Sequence, residues 1–419
     1  MEALIREYEA LKASFKEQFS SCTDFLRDRE VYAHPLYAFL RSMPKGADLH
    51  AHADAILPIG MQVDFLRDHP ELVITPQWQI RYSGVGAPYG SRTMAECLNE
   101  GLTVEDFQRE WTLLGAPKWS YLWDWFEGIF TRCGAICTTP SLVQDYYTRV
   151  MRYYHSIGVE HLELRCPFFG TREDALERGK AFLKALKEVR KTAPEFTLRI
   201  VACGGKNDVW DPLFDTLMDN AMYVRSKVHD GEHELVAAID IVNDEDRSYS
   251  LERYQERVVD IIRKHPGLRL TLHAGESRRG ENNEIAIALS CGIDRLGHGF
   301  NLYRYPVLQK EVIDKGICME ICPVSNAALG YCTDFSAHPA AGYLRAGIPI
   351  VICSDDPTYQ AHDVLTCDYL AVAVGWDLSL PELKELCLNS IRDSFLSDEE
   401  KAAHLVSLER RWEDWAARG

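Results

Sequence analysis

Residues 46–58 read GADLHAHADAILP. In an extended chain, side chains two apart share a face. That alternation puts Leu49, Ala51, Ala53 and Ala55 on one side and His50, His52 and Asp54 on the other. A strand that gathers two imidazoles and a carboxylate on one face needs water or a ligand against it. The rest of the chain decides which.

Short apolar runs of the same kind recur. After ADLHAHA near 47 come GVEHLELRC near 158, FTLRIVACG near 196 and LVAAIDIV near 235. LRLTLHAGE near 268, IDRLGHGF near 293, ICMEICPVS near 317 and PIVICSDDP near 349 complete a set of eight. From the second onward, helix-compatible segments such as EDALERGKAFLKALKEVRKT and SLERYQERVVDIIRKH separate them. Strands alternating with helices imply parallel pairing and right-handed crossovers. Eight such units predict an α/β fold, a (β/α)8 TIM barrel. An open doubly wound sheet is the alternative, but it would carry a Gly-rich nucleotide turn after its first strand, and none is present.

The organisation expected is an N-terminal helical segment, 1–42, and a barrel, 43–419, with further helices from Asp356 to the closing ERRWEDWAARG. About 100 residues separate the first two strands, against roughly 30 for a βα unit. This insertion, about 56–157, is rich in aromatics: Trp111, Trp119, Tyr121, Trp123, Trp125, Phe126 and Phe130. Such an insertion serves as a lid or as a contact in a homodimer. The stretch WDWFEGIF reads as an amphipathic helix packing most of these rings on the barrel.

With 419 residues, 46% of them hydrophobic, the chain can bury a large core. A net charge of -17 and a pI near 5.3 argue against nucleic acid or an anionic membrane as partner. No run approaches the ~20 apolar residues of a membrane span. The N-terminal MEALIREYEALKASFKEQFS is charged throughout and reads as an exposed helix, not a leader. Thirteen cysteines without a CxxC pair suit reduced core thiols, and no Asn-x-Ser/Thr acceptor occurs, so a cytoplasmic protein is expected.

Polar residues collect where barrel enzymes build their sites, at the C-terminal ends of the strands. The first strand ends in His50-Ala-His52, the fifth in His273-Ala-Gly-Glu276, the sixth in Gly297-His298-Gly299 and the eighth in Ser354-Asp355-Asp356. One histidine at a strand end is ordinarily structural. Four histidines and three carboxylates on one rim are not, because isolated buried charges cost several kcal/mol unless paired or bound to metal. His50, His52, His273 and Asp355 offer the three nitrogens and one oxygen that a catalytic Zn2+ takes, one ion per chain. Glu276, three residues beyond His273 across a tight turn, can shuttle protons without touching the metal. His298 and Asp356 can orient and deprotonate a water and stabilise developing charge. The inventory is that of metal-assisted hydrolysis.

The order MPKG-DLHAHAD, LHAGE, RLGHG, EICPVSN and SDDP resembles the adenosine deaminase family of metal-dependent hydrolases, in particular its branch of adenosine deaminase-related growth factors. The likeness runs from about Met43 to the C-terminus and includes HPAAGYLRAGIP. It implies zinc on His50, His52, His273 and Asp355, proton donation by Glu276 to purine N1, and action of His298 and Asp356 on the attacking water. It also implies contact of Asp54 with the ribose and places Trp123 near the sugar. The activity implied is deamination of a 6-aminopurine nucleoside, with a small purine-type molecule as partner. Where the family usually has Asp-Leu-Ala/Val-Gly, this chain reads Asp240-Ile241-Val242-Asn243. An asparagine there adds an amide to the base pocket, so another amino-heterocycle (adenine, a nucleotide, a modified nucleoside, a pterin-like ring) is the alternative substrate. A catalytically silent signalling protein on this scaffold is disfavoured by the intact set of seven site residues. Ala55 also replaces a common glycine.

Four weaker signals remain. His229 and His233 have metal-ligand spacing but precede the fourth strand, at the barrel's bottom. Asp244-Glu245-Asp246 reads as a solvated loop, with Glu245 able to brace a neighbour of the pocket. His338 reads as a helix cap, and Ser325 and Asn326 as support for Asp355 or His298. The nucleic-acid base deaminases need P-C-x-x-C, which is absent.

Overall fold

The computed structural model describes residues 2–19, 29–84, 86–117, 121–137 and 140–417. Eight parallel strands form one sheet in strictly sequential order: β1 (Gly46–His52), β2 (Val159–Cys166), β3 (Thr197–Gly205), β4 (Val236–Val242), β5 (Arg269–Ala274), β6 (Arg295–His298), β7 (Cys318–Ile321) and β8 (Ile350–Ile352). The sheet closes just past β8. There Asp355 N donates to His50 O at 2.8 Å and His52 N donates to Asp355 O at 3.0 Å, a parallel bridge between Ala51 and Asp355. Closure therefore pins the SDDP segment to the HAHAD segment, and a TIM barrel delivers both to one mouth.

All eight strands are nearly or wholly buried, because the helices cover their outer faces. Leu49 and Ala51 occupy that outer face of β1, and His50 the inner one. β1 ends at His52, so Asp54 stands in the following turn, with Ala55 N donating to His52 O at 3.0 Å.

Among the described residues, the region between β1 and β2 folds into a three-stranded antiparallel sheet and five α-helices, including Val104–Trp111 and Leu122–Cys133. Trp111 is fully buried, as an inward-packing ring should be; Trp119 lies outside the described residues. Leu122–Cys133 is a helix as expected, but Trp123, Phe126, Glu127 and Phe130 turn one stripe of it to a cavity at the barrel mouth.

The N-terminal helix, Glu2–Gln18, differs from the exposed helix expected. Leu4, Tyr8 and Phe15 are buried, and Tyr8 Oη and Lys12 Nζ donate to Leu378 O at 2.8 and 2.9 Å. Its polar residues at the other positions hid an amphipathic period of 3–4. The eleven described cysteines are all buried and free. His229 and His233 fall in a two-stranded hairpin ahead of β4. No helix among the described residues is long and apolar enough to cross a membrane.

Candidate active site

Two of the rings at the mouth are oriented by carboxylates from other strands. His50 Nδ1 lies 2.8 Å from Glu320 Oε2, on β7. His273 Nδ1 lies 2.8 Å from Asp240 Oδ2, on β4. A neutral imidazole has one proton, and a carboxylate claims it, so both rings present an unprotonated Nε2 to the barrel axis. Those two nitrogens stand 3.1 Å apart. Asp355 Oδ1 completes the group, 3.3 Å from His50 Nε2 and 3.2 Å from His52 Nε2. It is buried without a hydrogen-bond donor. Its other oxygen accepts from Ser325 Oγ at 2.6 Å, and that hydroxyl accepts from Gln360 Nε2 at 2.8 Å.

Lone pairs do not crowd in this way without a cation. Ligand atoms about 2.05 Å from a tetrahedral zinc are roughly 3.3 Å from one another, the spacing of Asp355 Oδ1 from His50 and His52 and close to that of His50 from His273. Charge agrees. Asp240, Glu320, Glu163 and Asp355 are four buried carboxylates, each held below its ordinary pKa despite burial by guanidinium or imidazole neighbours. Two guanidiniums sit within this network: Arg165 donates to Asp240 at 2.7 Å and also binds Glu320, and Arg295 donates to Glu320 at 2.7 Å and also binds Glu163. A divalent ion would supply the two positive charges that are missing. His298 stands nearer than His52: its ring centroid is 4.8 Å from that of His50 and 4.9 Å from that of His273, against 5.5 and 5.4 Å for His52. The residues able to hold a metal fall in two groups that share Asp355: His50, His273, His298 and Asp355, and His52, Asp355 and Asp356.

Glu276 follows the turn at Gly275, whose φ of +82° and contact with Ile285 leave no room for a Cβ. Its backbone N–H and that of Gly275 donate to Glu245 Oε2 at 3.2 and 2.8 Å. Glu245, in a stretch read as solvated, is thus buried beneath the site. Burial first, then the charges of Asp355 and Glu245, hold the Glu276 carboxyl well above its usual pKa, so it carries a proton. Asn326 Nδ2 donates to Glu276 Oε1 at 3.0 Å. Ser325 and Asn326 therefore support Asp355 and Glu276, not His298. Burial drives the His298 imidazole well below its usual pKa, leaving it neutral. Burial and the adjoining Asp355 hold Asp356 well above its own.

Three non-glycine residues with positive φ fall in the site: Asn243 (+100°), His298 (+59°) and Asp355 (+60°). Strain of this kind collects where geometry serves chemistry. At Asn243 it explains why glycine suits the position and why asparagine is tolerated. The side chain does not push both polar ends into the pocket as expected. Its Oδ1 accepts from Lys206 N at 3.0 Å over Gly205, and its Nδ2 lies 3.4 Å from Glu127 Oε1.

The cavity holds about 550 Å³. His52, His273, Glu276, His298, Asp355 and Asp356 line its floor, and Asp54, Trp123, Glu127 and Asn243 its walls. Trp123 Nε1 donates to Tyr331 Oη at 2.9 Å, and burial raises the Asp54 pKa to about 6. The orienting residues Asp240, Glu320, Arg165, Arg295 and Glu163 were not picked out as functional from the sequence. Their signal was a charge inside an otherwise apolar strand run, as in HLELRC and CMEIC.

The family model described as adenosine deaminase matches residues 120–410. The chain belongs to the adenosine deaminase family. It is a metal-dependent hydrolase of the deaminase class. Adenosine deaminase 2 of Dictyostelium discoideum is 27% identical over 91% of this chain and 75% of its own length. Adenosine deaminase 2 of Homo sapiens is 27% identical over 91% of this chain and 80% of its own. An N6-mAMP deaminase from Arabidopsis superposes with a TM-score of 0.66 at 18% identity, covering 89% of this chain and 99% of its own. A zinc-bound amidohydrolase from Burkholderia ambifaria gives 0.66 at 18% identity, covering 91% and 94%. At these identities the two structures speak for the barrel alone.

Proposed function

We propose that the protein is a zinc-dependent deaminase converting a 6-aminopurine nucleoside, adenosine or a close relative, to the 6-oxo product and ammonia. One observation carries this reading: Asp355 Oδ1 stands at ligand spacing from His50 and His52, and His50 from His273, at the floor of the cavity that also holds the protonated Glu276. The names of the relatives support it. His50, His52, His273 and Asp355 would hold the ion. When bound, a divalent cation lowers the pKa of water from 15.7 to about 7, which makes a nucleophile available at neutral pH.

The chain's own groups do the rest. Neutral His298 takes a proton from the attacking water, and Asp356, whose Oδ1 has no hydrogen-bond partner, orients that water. As the oxygen bonds to C6, Glu276 gives its proton to ring N1. The proton on His298 then passes to the amino group, the C6–N bond breaks and ammonia leaves, while the C6 hydroxyl gives up its remaining proton, which leaves the 6-oxo group and restores the acid form of Glu276. Asp54, able to donate or accept near neutral pH, and Trp123 hold the sugar.

The walls favour a nucleoside over a nucleotide. Asp54 and Glu127 repel a phosphate. Of the wall's arginines, Arg178 donates to Pro167 O at 2.8 Å and Arg81 to Gln79 Oε1 at 2.9 Å. Arg278, whose guanidinium donates to Leu329 O, and Arg279, 3.8 Å from Asp246, lie outside the cavity lining. Ammonia release across adenosine, deoxyadenosine, adenine, adenosine monophosphate, a modified nucleoside and a pterin is expected to favour the nucleosides. A faster nucleotide or free base would replace this substrate class.

Metal analysis of purified protein should find about one zinc per chain, with activity lost to a chelator and restored by zinc. Protein free of metal and indifferent to added zinc would end the proposal. Asn243→Gly should raise adenosine turnover a few-fold while changing stability by less than about 1 kcal/mol, since relief of strain offsets the lost hydrogen bond. An unchanged rate would show that the amide plays no part in selectivity.

A further inference from the structure

The hydrogen bond between Asn326 and Glu276 has a direction, and that direction is imposed from farther off. Ala340 N donates to His338 Nδ1 at 3.2 Å, so Nδ1 is the unprotonated nitrogen of that ring. Burial keeps the ring neutral, with its pKa pushed down to about 3, and the single proton therefore sits on Nε2. Nε2 stands 3.1 Å from Asn326 Oδ1, so the ring donates and the amide oxygen accepts. The amide cannot turn over without setting its NH2 against the ring N–H. Its Nδ2 must therefore donate to Glu276 Oε1, at 3.0 Å.

A carboxyl oxygen that accepts in this way is the C=O oxygen of the protonated acid. The two placements of the proton have different consequences. On Oε1 it would compete with the Asn326 N–H and face His298 Nδ1, 3.5 Å away. On Oε2 it is available to a substrate in the cavity that Glu276 lines. We propose that His338 is a positioning residue: its tautomer, relayed through Asn326, keeps the acid proton of Glu276 on Oε2. The sequence suggested only a helix cap for His338. The cap is present, at Ala340 N, and it is what sets the tautomer.

This inference rests on Glu276 being the proton donor, which Glu276→Gln tests by itself. Two substitutions separate the relay from packing. His338→Asn keeps a short acceptor for Ala340 N but cannot reach Asn326. His338→Gln reaches Asn326 with an amide donor and gives up the cap. His338→Asn should keep its metal and KM but lose about tenfold in kcat, the worth of one buried hydrogen bond. His338→Gln should recover most of that loss. In an Asn326→Ala background, His338→Asn should change kcat no further. Wild-type kcat in His338→Asn overturns the relay. Equal losses in both variants, or additive losses with Asn326→Ala, also overturn it, since they mark the packing of the ring on Phe300 and Trp376. Undiminished turnover by Glu276→Gln removes the reading beneath while leaving the hydrogen-bond polarity intact.

Discussion

Glu276→Gln should purify folded and metal-loaded, bind its substrate, and turn it over about a thousandfold more slowly, within the range that a general acid contributes. The substitution isolates proton transfer from everything else the side chain does. Glutamine's Oε1 can still accept from Asn326 Nδ2, and its backbone N–H still reaches Glu245. Its NH2 still offers a hydrogen to a ring nitrogen, but cannot release it. A change of a carboxyl that was already neutral also leaves the local charge as it was, because burial, Asp355 and Glu245 keep Glu276 protonated. KM should therefore move little while kcat collapses. The measurement is steady-state ammonia release together with metal content. A variant keeping more than about a tenth of wild-type kcat would take the acid role from Glu276.

The barrel was legible because its strands carry uninterrupted apolar character and its crossovers carry helical period, both of which are local. The mouth was legible for a related reason. A parallel barrel brings all strand ends to one face, so His50, His52, His273, Glu276, His298, Asp355 and Asp356 could be gathered on paper without knowing any contact. What stayed hidden is non-local. Glu163, Arg165, Asp240, Arg295 and Glu320 lie on four different strands, and each alone looks like a flaw in an apolar run. Only their meeting in the barrel interior makes them a network. Glu245 was legible in part: its bracing of a pocket neighbour could be named, its burial could not. Flanked by Asp244 and Asp246, it has the look of a solvated charge, yet its carboxylate takes the amides of Gly275 and Glu276. The stripe of Trp123, Phe126, Glu127 and Phe130 shows what periodicity leaves undecided. It identifies a helical face to be covered, but not whether protein or a ligand covers it.

Asp240→Asn is the sharper test of how the site is held, although it exchanges only an oxygen for a nitrogen. Asp240 is an acceptor four times over. Oδ1 takes the N–H of Ile241 at 2.6 Å and of His273 at 3.0 Å, while Oδ2 takes Arg165 Nε at 2.7 Å and His273 Nδ1 at 2.8 Å. Asparagine has one oxygen. Whichever pair it keeps, its NH2 faces two donors in a place water cannot reach, at a cost of about 1–3 kcal/mol for each one stranded. Where the NH2 faces His273, the ring can relieve the clash by moving its proton from Nδ1 to Nε2. Nε2 is the nitrogen that faces His50 and the proposed metal, so the relief blocks a ligand. Metal affinity should fall 10–100-fold, the usual cost of losing such an orienting partner. The unoriented histidine and the uncompensated Arg165 should lower thermal stability even in metal-free protein. Competition against a chelator of known zinc affinity reads the first effect, and thermal unfolding of the metal-free chain reads the second. Wild-type affinity in a destabilised variant would mean that Asp240 braces the barrel without tuning His273, and the argument from tautomers would fall with it.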